Sequence, residues 1–534
     1  MPAKEGRVRQ ILHGLYAWTL RHARLLSLYG GIAVIMIWTL LRHITNGINF
    51  DVVGQVGLVE QWAQGLSTGA QIGPTNYVVK MPLYFLVNGL DFLSQPHKLL
   101  LLAFLCNIAA YVVIFKLMEA VTDLYDKQTS IWLYLGLAWL ATIAGSVFWV
   151  DYANSRNLEI AGGLLLMYLA LRYVRQSRMY VAALLLLAGG LVFFADPLQL
   201  YIVGVAICLF AGARWLVYRR QQYLRDMLVL VSAMIGAAFL SKLLFILSAK
   251  VLPLSYLAVP SPRPELTIQN VLATAEGMFV STFKIFDADF AELPVGINSI
   301  RELFNAVVLC AIVAGVVKML LSGYRNAASM LALAVVGVNF AVFAASGQAL
   351  QWETSRYLIL VPVMAVLFVG LSGDRIIVRG ARLFAVSWTI GLIVSSVLLI
   401  GALVVSWPTR YQKDAPIAAS VAFMRANGFR YAVSTREVAI PATYFTNGET
   451  TIVPVLCGAG GQLQETYLFF DRAAFSILDT HRDTVPLIVP GAGIGQDGLL
   501  CDREDIIRQY GQPLRELPVP SVGTALVYPA SSLR

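Results

Sequence analysis

Apolar stretches recur along most of this chain, set apart by short polar connections, and each is close to the roughly 20 residues a helix needs to cross a bilayer. They predict membrane-crossing helices at 25–44, 98–118, 130–150, 157–174, 180–195, 198–216, 227–247, 301–321, 328–346, 357–372 and 383–407. The stretch from Met81 to Leu93 is apolar but interrupted by Asn88 and Asp91, so it reads as an amphipathic helix lying at the membrane surface. At Ala195-Asp196-Pro197 the proline disfavours helix at the residue before it, which predicts a tight turn.

Three segments between or after these helices are long: 45–97, 248–300 and the tail 408–534. Loops of that length usually carry function. The second holds Pro253, Pro260, Pro262 and Pro264, then Asp287, Asp289 and Glu292, with a helical pattern near 268–286. The tail alternates helical and β-rich runs, among them Ile417 to Asn427, Tyr431 to Ser434, Thr451 to Leu456, Val485 to Val489 and Thr524 to Tyr528. The fold class expected is an all-α polytopic membrane domain of about eleven transmembrane helices over 1–407, followed by a small C-terminal α/β domain over 408–534 outside the membrane.

Composition supports the membrane reading. Of 534 residues 58% are hydrophobic and 13% charged, against roughly 45–50% and 25% in soluble domains. The net charge of +9 would suggest a nucleic-acid partner if it lay in one basic patch. It does not. Residues 408–534 carry 11 Lys/Arg and 12 Asp/Glu, so the excess belongs to the membrane part. There it sits on alternate connections: Arg21 and Arg24, then Arg175 and Arg178, Arg219 and Arg220, and Arg375 and Arg379. Positive-inside retention then places the N-terminus in the cytoplasm and the tail outside, as in a bacterial inner-membrane protein. No nucleic-acid partner is expected.

Cys106, Cys208 and Cys310 fall in apolar stretches, whereas Cys457 and Cys501 fall in the tail, where an oxidising compartment would join them. His13, His22, His43, His97 and His481 are scattered without ligand spacing, so no metal site is expected.

Four polar stretches could carry chemistry. The first, Asn49-Phe50-Asp51, follows the first crossing; a carboxylate held at the membrane surface by a rigid helix is placed to take a proton from a hydroxyl. Alone, Asp51 reads as a solvated loop residue. The second is Lys80-Met81-Pro82-Leu83-Tyr84, where proline starts a helix whose positive end, together with Lys80, suits an anionic head group; a snorkelling lysine is the plainer account.

In the third, Asp151-Tyr152-Ala153-Asn154-Ser155-Arg156-Asn157-Leu158-Glu159, a carboxylate lies just inside an apolar stretch, where facing lipid would be costly. Arg156 lies one turn before Glu159 and is a candidate ion-pair partner for it. The fourth, Glu353-Thr354-Ser355-Arg356-Tyr357, offers a guanidinium that grips phosphate bidentately, or an interfacial anchor.

The order of these four stretches resembles the C-type integral membrane glycosyltransferases, a superfamily that includes protein O-mannosyltransferases and lipid A aminoarabinose transferases. The resemblance covers most of 25–407 through short motifs. Met81 stands where the first of two prolines is often seen, and Asp51 is followed by valine rather than a second acid. It implies an enzyme that moves a sugar from a polyprenyl-phosphate donor to an extracytoplasmic glycan, lipid or protein. Asp51 would be the base. Lys80, Arg156 and Arg356 would hold the leaving phosphate, and Tyr84, Glu159 and Tyr357 would line the substrate site. The scheme needs no cofactor. Two other readings stand beside it, a lipid-linked glycan polymerase or ligase and a membrane transporter or flippase.

Overall fold

The structure, a computed structural model, describes residues 22–45, 48, 50–63, 69–72, 77–125, 131–143, 157–252, 254–256, 267–289, 297–321, 326–346, 357–376, 381–410, 412–446, 448–458, 462–466, 470, 475, 484–491 and 502–533. The chain is mostly helical. Its first helices are α1 (His22–Thr45), α2 (Phe50–Ala63), α3 (Met81–Asn88), α4 (Gln95–Tyr125), α5 (Ile131–Thr142), α6 (Asn157–Gln176) and α7 (Met179–Ala195). There follow α8 (Pro197–Tyr218), α9 (Gln221–Val251), α10 (Ile268–Ile285), α11 (Ile297–Leu321), α12 (Ala327–Ala345), α13 (Leu360–Ile376) and α14 (Ala381–Ser406). Among the described residues seven helices, α1, α4, α8, α9, α11, α12 and α14, are long and apolar enough to cross a membrane.

Short connections make the helices alternate in direction. Ser177-Arg178 joins α6 to α7 and Arg219-Arg220 joins α8 to α9, with Ser177 at φ 51° and Arg219 at φ 47° so that the chain can reverse. Contacts between helices confirm the alternation. Arg24 near the start of α1 pairs with Glu119 near the end of α4 at 2.6 Å, while Asn107 of α4 donates to Thr39 Oγ1 toward the end of α1 at 3.1 Å. One end of the bundle therefore collects the C-terminus of α1, the short helices α2 and α3, the N-termini of α4, α6, α11 and α13, and the junction of α7 with α8.

The bundle core is rich in aromatics. Trp139 stacks on Phe286 at 5.7 Å and meets Trp388 edge-on at 6.1 Å, a geometry that ring quadrupoles favour. Gly31 leaves the space that the Tyr111 ring fills, and the Tyr111 hydroxyl donates to Ser27 O at 2.8 Å.

The long loops are tied together by a parallel pair of short strands, β1 (Ala70–Ile72) and β2 (Leu254–Tyr256). After α14 comes α15 (Ala415–Ala426) and then a six-stranded sheet. Its strands are β3 (Tyr431–Thr435), β4 (Thr451–Cys457), β5 (Leu463–Glu465), β6 (Thr484–Pro490), β7 (Arg515–Val519) and β8 (Gly523–Pro529), in the order β5-β4-β3-β6-β8-β7. β3 runs parallel to β4 and β6, and the other pairings are antiparallel. Helices α16 (Arg436–Phe445) and α17 (Arg503–Tyr510) complete an α/β unit, and four of its strands coincide with runs that the sequence marks. Cys457 is disulfide-bonded, whereas Cys106, Cys208 and Cys310 are free thiols. Cys501, the one cysteine of the sequence left to pair with it, lies outside the described residues.

This unit does not stand apart from the bundle. A single buried core runs from Val53, Val56 and Val59 of α2 through Tyr84 of α3 and Leu99 of α4 to Ile440 and Tyr444 of α16.

Candidate functional site

Lys80 ends a 3₁₀ turn, Tyr77–Lys80, and is the residue from which α3 departs, with Pro82 in the first turn of that helix. Proline fits there because the first turn has no intrahelical use for its missing N–H. Met81, Tyr84 and Val87 are buried while Phe85 and Leu86 are exposed, so α3 lies on the end of the bundle with one face inward. Across from it Glu159 sits in the first turn of α6, where a carboxylate complements the helix dipole. Lys80 Nζ lies 3.1 Å from Glu159 Oε2, and the two side chains are 1% and 2% exposed. Two residues marked by separate motifs thus form one buried ion pair. Glu159 pairs with a lysine delivered by a distant loop, and Arg156, its candidate partner in the sequence, lies outside the described residues.

The same face of α6 receives the start of α8. Asp196, 1% exposed, accepts from Leu198 N at 3.1 Å and from Gln199 Nε2 at 3.4 Å, and its charge acts on Glu159. Gly163, one turn after Glu159, makes room for Gln199, whose Oε1 would lie only 2.7 Å from a Cβ placed there. The turn at Asp196-Pro197 is therefore an interior helix cap.

Asp51 falls in the first turn of α2, and its side chain lies outside what the structure describes. Further along α2, Glu60 Oε1 accepts from Gln95 Nε2 at 2.9 Å. Burial pushes the Glu60 carboxyl up to about 7, against the opposing pull of Lys98 and of the Gln95 hydrogen bond. Lys98 Nζ donates to Asn88 O at 2.8 Å, and Asn88 Nδ2 donates to Val56 O at 3.2 Å, which braces α2, α3 and α4 against one another.

A second polar cluster was not singled out by the sequence motifs. Arg301, in the first turns of α11, holds Asp287 at 2.7 Å, and its guanidinium lies 5.3 Å from the centre of the Trp38 ring. The guanidinium of Arg42 lies 5.9 Å from the same ring. Asn305 Nδ2 donates to Asp287 O at 2.9 Å, and Asn305 Oδ1 accepts from Trp139 Nε1 at 3.0 Å. Burial raises the Asp287 carboxyl above its ordinary range, and Arg301 and Arg42 oppose that rise. The signal was present: Arg301-Glu302 sits at the mouth of an apolar stretch, where paired charges mark function or a structural lock.

Of the remaining expected site residues, Tyr84 is fully buried in the core shared with the tail. Tyr357 is half-buried just before α13, and its carbonyl accepts from Asn339 Nδ2 at 2.9 Å. Arg356 lies outside the described residues. Compared with known proteins, the chain matches no protein family and no curated protein.

Proposed function

We propose that this chain is a membrane glycosyltransferase of the C type that takes a sugar from a polyprenyl-phosphate donor and places it on an extracytoplasmic acceptor. The observation that carries the reading is the meeting of Lys80 with Glu159. Two of the stretches whose order resembles that superfamily converge at the end of the bundle against which α2, the helix of Asp51, is packed.

In this reading α5, α6, α7 and α13 cross the membrane together with the seven long helices, which makes eleven crossings, an odd number with the N-terminus and the tail on opposite sides. The arginine-bearing turns at 178 and 219–220 lie at the end away from Lys80, so the site faces outward by the positive-inside rule.

In the reaction, the Asp51 carboxylate takes the proton of an acceptor hydroxyl as that oxygen attacks the anomeric carbon. The bond from that carbon to the phosphate oxygen breaks, and the lipid phosphate leaves with the electron pair. Glu159 pairs with the Lys80 ammonium and holds it in place at the site, where its positive charge offsets charge growing on the phosphate. Arg156 and Arg356 add bidentate grip, Tyr357 shapes the wall, and Tyr84 supports the site from the core behind α3. The acceptor is a glycan, a lipid or a protein.

The test is to incubate the purified protein with a panel of polyprenyl-phosphate sugars and an acceptor hydroxyl, and to follow release of the free lipid phosphate. Release from at least one donor, lost in Asp51→Asn, is expected. No release from any donor in the panel would overturn the assignment.

A further inference from the structure

The helix that carries Asp51 is gripped by the C-terminal unit just before its start and again at its middle. Ile48, three residues before Asp51, donates its backbone N–H to Asp414 Oδ1 at 2.6 Å. Asp414 immediately precedes α15, and its carboxyl is partly buried. At the middle of α2, Gly57 lies against the Tyr444 ring of α16, where an added Cβ would be 3.7 Å from that ring. The Tyr444 hydroxyl reaches Gln95 O at 3.5 Å, and Gln95 is the residue that donates to Glu60 of α2. Along the same helix Val53, Val56 and Val59 are buried in the core that also contains Ile417, Ile440 and Tyr444.

A helix of 14 residues is marginal alone, and burial of an apolar face normally decides whether it holds. For α2 much of that burial comes from a part of the chain more than 350 residues away. We propose that the C-terminal unit is a clamp that fixes the helix carrying Asp51, with Asp414 and Tyr444 as positioning residues that act through it. The tail is then part of the site's construction, beyond any contact it makes with an acceptor. The contacts stand independently of the transferase reading; only the consequence for Asp51 as base rests on that reading.

The test is backbone amide exchange across residues 50–63 in the full-length protein in nanodiscs, for wild type, Asp414→Ala, Asp414→Asn and Tyr444→Leu. Loss of a hydrogen bond to a charged acceptor predicts exchange faster by about tenfold or more in Asp414→Ala. Asp414→Asn keeps an acceptor oxygen and should stay near wild type. Tyr444→Leu should speed exchange around Gly57 while β3 and β6 keep their protection.

If the transferase reading also holds, Asp414→Ala lowers kcat with the donor KM little changed, and Asp414→Asn restores it. Wild-type exchange in α2 for both Asp414→Ala and Tyr444→Leu would overturn the clamp. So would an α2 that stays protected in a variant whose tail sheet has lost protection. Absence of sugar transfer in the wild type, with the exchange pattern as expected, would remove the transferase reading and leave the clamp.

Discussion

Lys80 and Glu159 face each other at 3.1 Å between α3 and α6, both withdrawn from solvent. A pair this deep has paid its desolvation, so its worth lies in mutual dependence: removing one partner strands the other charge. Lys80→Met or Glu159→Gln should each cost on the order of 3–5 kcal/mol, and the double variant should recover most of that. Denaturation of the four proteins in one detergent gives the cycle, and purely additive losses would show that the pair is not coupled. Turnover should stay low in the double variant, because the ammonium is gone.

Glu60 supplies a pH dependence with a definite sign. Its folded carboxyl lies at about 7, against 4.5 for the ordinary group, chiefly because of burial. The folded state therefore holds the proton more tightly than the unfolded chain. Its contribution is fully present below about pH 4.5 and is lost as pH rises through about 7, a span worth on the order of 3 kcal/mol. Glu60→Gln mimics the protonated form and should remove this slope. Its stability relative to wild type should improve between about pH 5 and about pH 8, and a gap that stays constant with pH would contradict the account.

How far the sequence could be read depended on whether the signal was local. The tail strands at 431–435, 451–457, 484–490 and 523–529 were legible from short apolar runs and turn residues, but their order in the sheet depends on crossovers that no local pattern encodes. Lys80 was marked by the proline beside it, and Glu159 by a carboxylate inside an apolar stretch. That they pair was not legible, because the loop bearing Lys80 and the start of α6 are brought together only by packing. The Asp414 grip on Ile48 has the same cause, amplified by distance. Trp38, Arg42 and Arg301 escaped because aromatic and basic residues at bundle ends usually read as interfacial anchors.

Asp51→Asn preserves shape and polarity but cannot accept the proton. Sugar transfer should fall by roughly a hundredfold or more, the usual consequence of losing a general base. Donor binding, followed with a non-transferable analogue, should be nearly unchanged. Turnover at the wild-type rate would shift attention to Glu60, the buried acid on the same helix.

The disulfide at Cys457 can be read by thiol counting. Denatured but unreduced protein should label at Cys106, Cys208 and Cys310 only, and reduction should expose two further thiols. Labelling of all five before reduction would exclude the bridge. Substituting Cys457 with Ser should cost a few kcal/mol, as expected for opening a closed loop.

Asp287 offers a prediction that combines backbone and charge. It adopts φ 52°, in the left-handed region, while Arg301 holds its carboxylate at 2.7 Å. Asparagine tolerates that backbone well, whereas alanine is strained there by roughly 1–2 kcal/mol. Both substitutions leave Arg301 without this carboxylate partner. Stability should therefore fall in the order wild type, Asp287→Asn, Asp287→Ala, with the second step reporting the backbone and the first the ion pair. Arg301→Lys keeps the charge but loses the flat guanidinium over Trp38, so it should lie closer to wild type than Arg301→Met, which strands a buried carboxylate. Unfolding midpoints for these four variants decide the matter: equal values for the two Asp287 variants would show that the backbone contributes nothing, and wild-type stability in Arg301→Met would show that the cluster does not anchor the loop to α1.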